Sequence, residues 1–276
     1  STASVELQGD AELDLNNRNT SLGKLTSASS SSIVRTQATG VLNLTSNESY
    51  SFAGTLGGTW TLVKQGMGQL TLTGTMSPNL KTTINGGTVR LYRNTPSFGS
   101  YYTGSGGLVV ESVDSNFSGP VNIDTTIANL SSLRIGKSTN TADINLQDIV
   151  VIDGSVTVYA GGLDLSSVAM LRSNTGSVTV NTGGLTGSGE VFIGTGTLTI
   201  NQSADATYAG VIRGDGQVVL GGASTLTLSG KNAYTGNTTI NSGASLAIGA
   251  NGALGWSNGS AAYAGSLVIN GTSFTH

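Results

Sequence analysis

The sequence predicts an all-β chain wound as a right-handed parallel β-helix, a solenoid of about a dozen coils. Three observations point there. The first is an ungapped internal repeat in which Leu42, Leu70 and Ile84 return 156 positions later as Leu198, Leu226 and Ile240. A repeat of short units signals a stacked fold in which each unit contacts its neighbours. The second is that positions expected to face outward are rich in Thr, Ser and Asn, residues able to form ladders between coils. The third is an aromatic content of only 5%, low for the core of a sandwich or barrel. At roughly 20–25 residues per coil, 276 residues give about twelve coils, stacked ~4.8 Å apart.

Each element is justified by period-two alternation, which sends one side-chain set inward and the other to solvent. In chain order, Val5-Glu6-Leu7, Ala11-Glu12-Leu13-Asp14-Leu15 and Val41 to Leu44 alternate. Trp60-Thr61-Leu62 and Leu70-Thr71-Leu72 follow. After a less regular middle come Val178-Thr179-Val180, Leu198-Thr199-Ile200, Val218-Val219-Leu220, Leu226-Thr227-Leu228 and Leu246-Ala247-Ile248. Runs end in Gly, Asn, Ser or Asp, which supply positive φ or side-chain turns. No window carries an apolar stripe of helical period. The whole of 1–276 reads as one β-helix segment, with repeat modules at about 40–91 and 196–248. A loop excursion is expected at 92–107, where Pro96 and three of the eight tyrosines (Tyr92, Tyr101 and Tyr102) follow the first module.

Composition narrows the function classes. Glycine, at 41 residues, is about twice its usual share, while charged residues make up only 10%. A net charge of −3 with abundant β-branched residues argues against disorder. Twelve Lys and Arg spread along the chain make no electrostatic footprint for nucleic acid. The absence of cysteine excludes disulfides and thiolate metal sites. No apolar run reaches the ~20 residues of a membrane helix. The chain begins at Ser1 with no signal peptide, and is expected to be a mature or trimmed segment.

The second module, from Gly222 through Leu226-Thr227-Leu228, Ser229-Gly230, Tyr234-Thr235-Gly236 and Thr238-Thr239-Ile240-Asn241 to Gly243, carries a family signature. It resembles the autotransporter-associated β-helix repeat of Gram-negative passenger domains. The first copy matches from Leu62 to Gly74, then departs at Met76-Ser77-Pro78-Asn79-Leu80, where an altered corner is expected. The resemblance implies export through the periplasm to the cell surface or medium, and an outer-membrane barrel outside this chain. It implies an adhesin-type stalk contacting a host surface protein, a glycan or another copy of itself. A two-partner-secreted exoprotein, a toxin passenger fragment and a β-helix polysaccharide-degrading enzyme are the alternatives.

Candidate chemistry is sparse. Arg213-Gly214-Asp215 spells the integrin-recognition tripeptide at a turn, where the first module has Gly57-Gly58-Thr59. A chance filling of that turn is the simpler reading. Trp60 aligns with Gly216 and is expected outward, so that with Tyr92, Tyr101 and Tyr102 it would offer stacking faces to a glycan. Asp143, Asp148 and Asp153 recur every five residues, but strand residues five apart point to opposite faces. Gly136-Lys137-Ser138 ends like a phosphate-binding loop, yet Ser131 stands where that loop needs Gly, and no helix follows. The only histidine is His276, the last residue, so a Ser-His-Asp triad is not expected. The sequence therefore predicts no catalytic residue, no metal and no cofactor.

Overall fold

The computed structural model describes residues 3–36, 39–95, 98, 101–249, 254, 265–270 and 273–275. Every regular element among them is a β-strand, and every strand pairing is parallel. His276 lies outside the described residues. The strands stack as a parallel β-solenoid of about 12 turns in all. The chain divides into two compact units, Ser1–Asp114 with Thr125–Arg134, and Ser115–Asp124 with Ile135–His276.

In unit 1 the strands fall on three faces. The first carries Val5–Glu6, Leu25–Thr26, Tyr50–Phe52, Gln69–Leu72, Thr88–Tyr92 and Gly107–Glu111. The second is thinner, with Glu12–Asp14, Ile33–Arg35 and Thr55–Leu56 continued by a single bridge to Met76. The third carries Thr20–Leu22, Val41–Leu44, Thr61–Lys64, Lys81–Ile84 and Tyr101–Thr103, then the start of Thr126–Ile135. Alternation sets the core: in Val41–Leu44, Leu42 and Leu44 are buried while Val41 and Asn43 are half-exposed.

Unit 2 repeats the plan. Its first face carries Val121–Ile123, Ile144–Leu146, Leu163–Leu165 and Leu185–Gly187, followed by Ala206–Tyr208, Thr225–Leu228, Ser245–Ile248 and Ser273–Thr275. The long strand Ile149–Ala160 turns through two faces. Its first half pairs with Met170–Ser173, then come Glu190–Ile193, Val211–Gly214 and Ala233–Tyr234. Its second half pairs with Val178–Thr182, then come Thr197–Gln202, Gln217–Gly222, Thr238–Ile240 and Leu267–Ile269. The register there is strict: Val178 faces Leu198, Leu198 faces Val218, and Val218 faces Thr238.

The internal echo is visible atom by atom. Gly74 and its counterpart Gly230 both lie so close to the coil before them that a Cβ would sit 1.9 Å from a carbonyl oxygen, that of Gly54 or of Gly210. Gly66 and Gly222 both adopt positive φ, 69° and 92°. The altered corner of the first copy is equally plain. Met76 makes the bridge to Leu56, and Leu80 is fully buried.

The expected excursion at 92–107 is corrected. Tyr101–Thr103 is a regular strand that pairs with Lys81–Ile84, and Gly107–Glu111 pairs with Thr88–Tyr92. Lys81 faces Tyr101 at the same interval at which Thr61 faces Lys81, so no residues are added to this coil. The non-strand part shrinks to 93–100, of which Pro96, Ser97, Gly99 and Ser100 lie outside the described residues. Tyrosine and proline in an irregular sequence masked the strand signal, because Tyr102 serves as a core residue rather than a loop anchor.

One inward position breaks the apolar pattern. Lys64 stands between Leu44 and Ile84 in the third-face core row of unit 1 and is 0% exposed. Its stem follows the core, and its ammonium donates to the carbonyls of Gln65 and Gly66 at the turn, the latter at 2.8 Å. Burial holds its pKa below the ordinary lysine value.

Candidate functional site

Two of the four aromatics expected to form a stacking face point the other way. Trp60 is 3% exposed, and its indole nitrogen donates to the Gly57 carbonyl at 2.6 Å. Tyr102 is fully buried, its hydroxyl 3.8 Å from the sulfur of Met76. Trp60 is inward because Leu80, beside it on the next coil, is inward too, and together they fill this corner of the core. In the second copy the counterparts are Gly216 and Gly236. Near them Tyr234 is buried, its hydroxyl meeting that of Thr238 at 2.6 Å. The copies thus differ at Trp60 in how they pack the core, and the surface is not what changes. Tyr92 and Tyr101 remain half-buried on different faces of unit 1. Tyr92 donates to the Val113 carbonyl at 3.2 Å and lies under the Arg90 guanidinium.

Arg213-Gly214-Asp215 sits at a strand end and turn on the second face of unit 2, with Gly214 at φ +115°. Arg213 and Asp215 are exposed, and both are tied to their own face. Arg213 pairs with Glu190 at 2.5 Å, and Asp215 accepts from the Thr235 hydroxyl at 3.2 Å.

The three evenly spaced aspartates part company. Asp148 caps the backbone N–H of Ile149, and Asp153 accepts from the Asn174 side chain on the second face, both at 2.7 Å. Asp143 instead joins a set that a linear reading missed. On the first face of unit 2, the outward residue of each strand forms a row: Asn122, Asn145, Asp164 and Thr186, followed by Thr207 and Thr227. Asn145 donates to Asn122 at 2.8 Å, and Thr186 to Asp164 at 2.9 Å. The residue just before each strand forms a second row of Asp143, Gly162, Gly184 and Asp205. Glycine at the two middle positions leaves an open groove of about 730 Å³ along the coils, lined also by Asn145, Asp164, Thr186, Thr207 and Thr227.

A second groove, about 560 Å³, lies on the other side of the same corner. Its lining includes Asn140, Tyr159, Asn181, Asn201, Gln202, Gly161 and Gly183. Asn201 donates to Asn181 at 3.0 Å. Gln202 is 3% exposed; its amide nitrogen donates to the Thr225 carbonyl at 2.9 Å, while its Oε1 has no partner among the described residues. Between the grooves runs a corner stripped of side chains. Gly161-Gly162 and Gly183-Gly184 stack so closely that a Cβ on Gly183 would lie 2.0 Å from the Gly161 carbonyl.

Chemically, the two grooves offer carboxylates, amides and hydroxyls over a glycine floor. No lysine or arginine lines either one. Among the described residues no group of three His, Cys, Asp or Glu is placed to hold a metal ion. No family model, curated protein or solved structure matches the chain.

Proposed function

We propose that the chain is a non-enzymatic stalk segment of an autotransporter-type adhesin, exported through the periplasm and displayed on the bacterial surface or released. It attaches cells to a host surface protein or glycan, or to each other, through many weak contacts along its flank. The membrane barrel that would anchor it is expected outside this chain. The observation that carries this reading is the register of outward polar side chains. Stacked parallel coils bring Asn, Asp and Thr into one row beside open grooves, as in the row from Asn122 to Thr227. Each hydrogen bond made by such a row contributes only about 0.5–1.5 kcal/mol, so attachment requires an extended surface. A solenoid provides that surface, and the module from Gly222 to Gly243 supports the export route.

The test is display of the chain on a non-adherent bacterium, with aggregation and attachment to host cells scored against an empty display vehicle. Gain of either phenotype is expected, and gain of neither sinks the adhesin reading for this segment. Incubation of the purified chain with soluble polysaccharides is expected to release no new reducing or unsaturated ends. Release of either would favour the polysaccharide-degrading alternative.

A further inference from the structure

We propose that a coil corner of unit 1 modifies itself at Asn85–Gly86: the asparagine loses its side-chain nitrogen as ammonia and ages to isoaspartate. The inference goes beyond the adhesin reading and stands without it. The step needs a side-chain amide free to turn, an unhindered backbone nitrogen after it, and access to water.

All three conditions meet at this corner. Asn85–Gly86 is the one Asn-Gly pair whose residues both lie among the described ones. It follows the strand Lys81–Ile84, and because Ile84 faces the core, Asn85 points outward and is exposed. Its side-chain amide makes no hydrogen bond among the described residues, and the Gly86 N–H donates to none. The backbone of Asn85 is held instead. Its N–H donates to the Lys64 carbonyl at 2.8 Å, and its carbonyl accepts from the Ser105 hydroxyl at 3.0 Å. The second bond draws charge from the peptide group whose nitrogen must attack, which favours loss of that nitrogen's proton. Gly86 has no Cβ to obstruct the approach.

The reaction balances with water as the only other reactant. The Gly86 nitrogen gives up its proton and attacks Asn85 Cγ. The N–Cγ bond forms, the Cγ–Nδ2 bond breaks, and Nδ2 leaves as ammonia carrying a proton in place of the one lost. Water then opens the succinimide ring at either carbonyl. Opening at Cγ gives aspartate. Opening at the former backbone carbonyl leaves the chain running through Cγ as isoaspartate, longer by a methylene. Either product adds a negative charge. The corner has no slack for the longer path. A Cβ on Gly86 would lie 2.9 Å from the Gly66 carbonyl oxygen, and one on Gly87 would lie 2.3 Å from that of Gly68. The added methylene therefore pushes this coil off the one before it.

The second module is an internal control. Thr238-Thr239-Ile240-Asn241 repeats Thr82-Thr83-Ile84-Asn85, and Asn241 is exposed too, but Ser242 stands where Gly86 does. The experiment incubates the purified full chain in mildly alkaline buffer. Peptide mass spectrometry, with enzymatic methylation of isoaspartate, follows residues 85 and 241 over time. Asn85 is expected to convert about tenfold faster than Asn241, mainly to isoaspartate and faster as pH rises, because only Gly86 lacks a hindering side chain. Gly86→Ser should slow residue 85 to the rate of Asn241. The new Cβ of that variant presses on Gly66, so Ser242→Gly makes the converse test and should raise residue 241 about tenfold. Equal rates at the two residues of the unaltered chain, or no gain in Ser242→Gly, would overturn the proposal. Amide exchange in Lys81–Ile84 and Thr88–Tyr92 is expected to quicken once residue 85 has converted. Unchanged exchange there would overturn the loosening of the corner.

Discussion

Lys64 shows how a single polar residue is tolerated in a row of buried apolar side chains. Its neighbours in the row are Leu44 and Ile84, and its counterpart in the second copy is Leu220. Burying an ammonium with only carbonyl partners carries a desolvation cost. Lys64→Leu is therefore expected to stabilise the chain by about 1 kcal/mol, read as a raised thermal midpoint. The pH dependence has a definite sign. Burial lowers the folded-state pKa, so between that value and the ordinary 10.5 the unfolded chain binds more protons. Stability contributed by this group rises as pH rises through that alkaline window, and the leucine variant should lack the rise. A thermal midpoint that climbs equally with pH in both proteins would refute the assignment. Trp60 gives the opposite case: Trp60→Gly, which copies the second module, should cost about 3–5 kcal/mol because it empties a corner of the core that Trp60 fills with Leu80. Asp215→Glu should leave cell attachment unchanged, since Arg213 and Asp215 are already engaged by Glu190 and Thr235. Loss of attachment in that variant would restore the tripeptide as a recognition site.

At the scale of strands and corners, what was legible in the sequence and what was not divide along a physical line. Strand positions such as Leu42, Leu70 and Leu226 were readable because alternation is local. The pairing of Gly74 with Gly230 was readable because the repeat is ungapped. The inward turn of Trp60 was not, because its reason lies in Leu80 on the next coil. The strand Tyr101–Thr103 was missed because its evidence is the pairing with Lys81–Ile84, which no local pattern carries. The acidic groove was missed for the same reason. Asp143, Asp164 and Asp205 become neighbours only when the coil interval is known, and that interval varies at the corners: Leu163 faces Leu185, whereas Leu226 faces Leu246. The corners themselves are testable. Gly230→Ala would place a methyl 1.9 Å from the Gly210 carbonyl, and should destabilise by about 1–3 kcal/mol in a denaturant melt.

At the scale of the whole chain, each unit is a stack whose inner coils are covered on both sides, while the last coils of unit 2 are less protected. Val268 and Ile269 are 40% and 49% exposed, whereas Leu198, Ile200 and Val218 are buried. Amide exchange is expected to be fastest in Leu267–Ile269 and Ser273–Thr275, and slowest in Thr197–Gln202 and Gln217–Gly222. Uniform protection across these strands would argue against coil-by-coil stability. The in-register rows carry one more consequence. Every outward side chain has an address made of a coil and a face, and its backbone is held by the coils on either side. Exchanging Thr186 or Thr207 rewrites one character of the surface and leaves the line around it in place. Such a flank can change what it recognises one coil at a time, while the buried rows keep the text aligned.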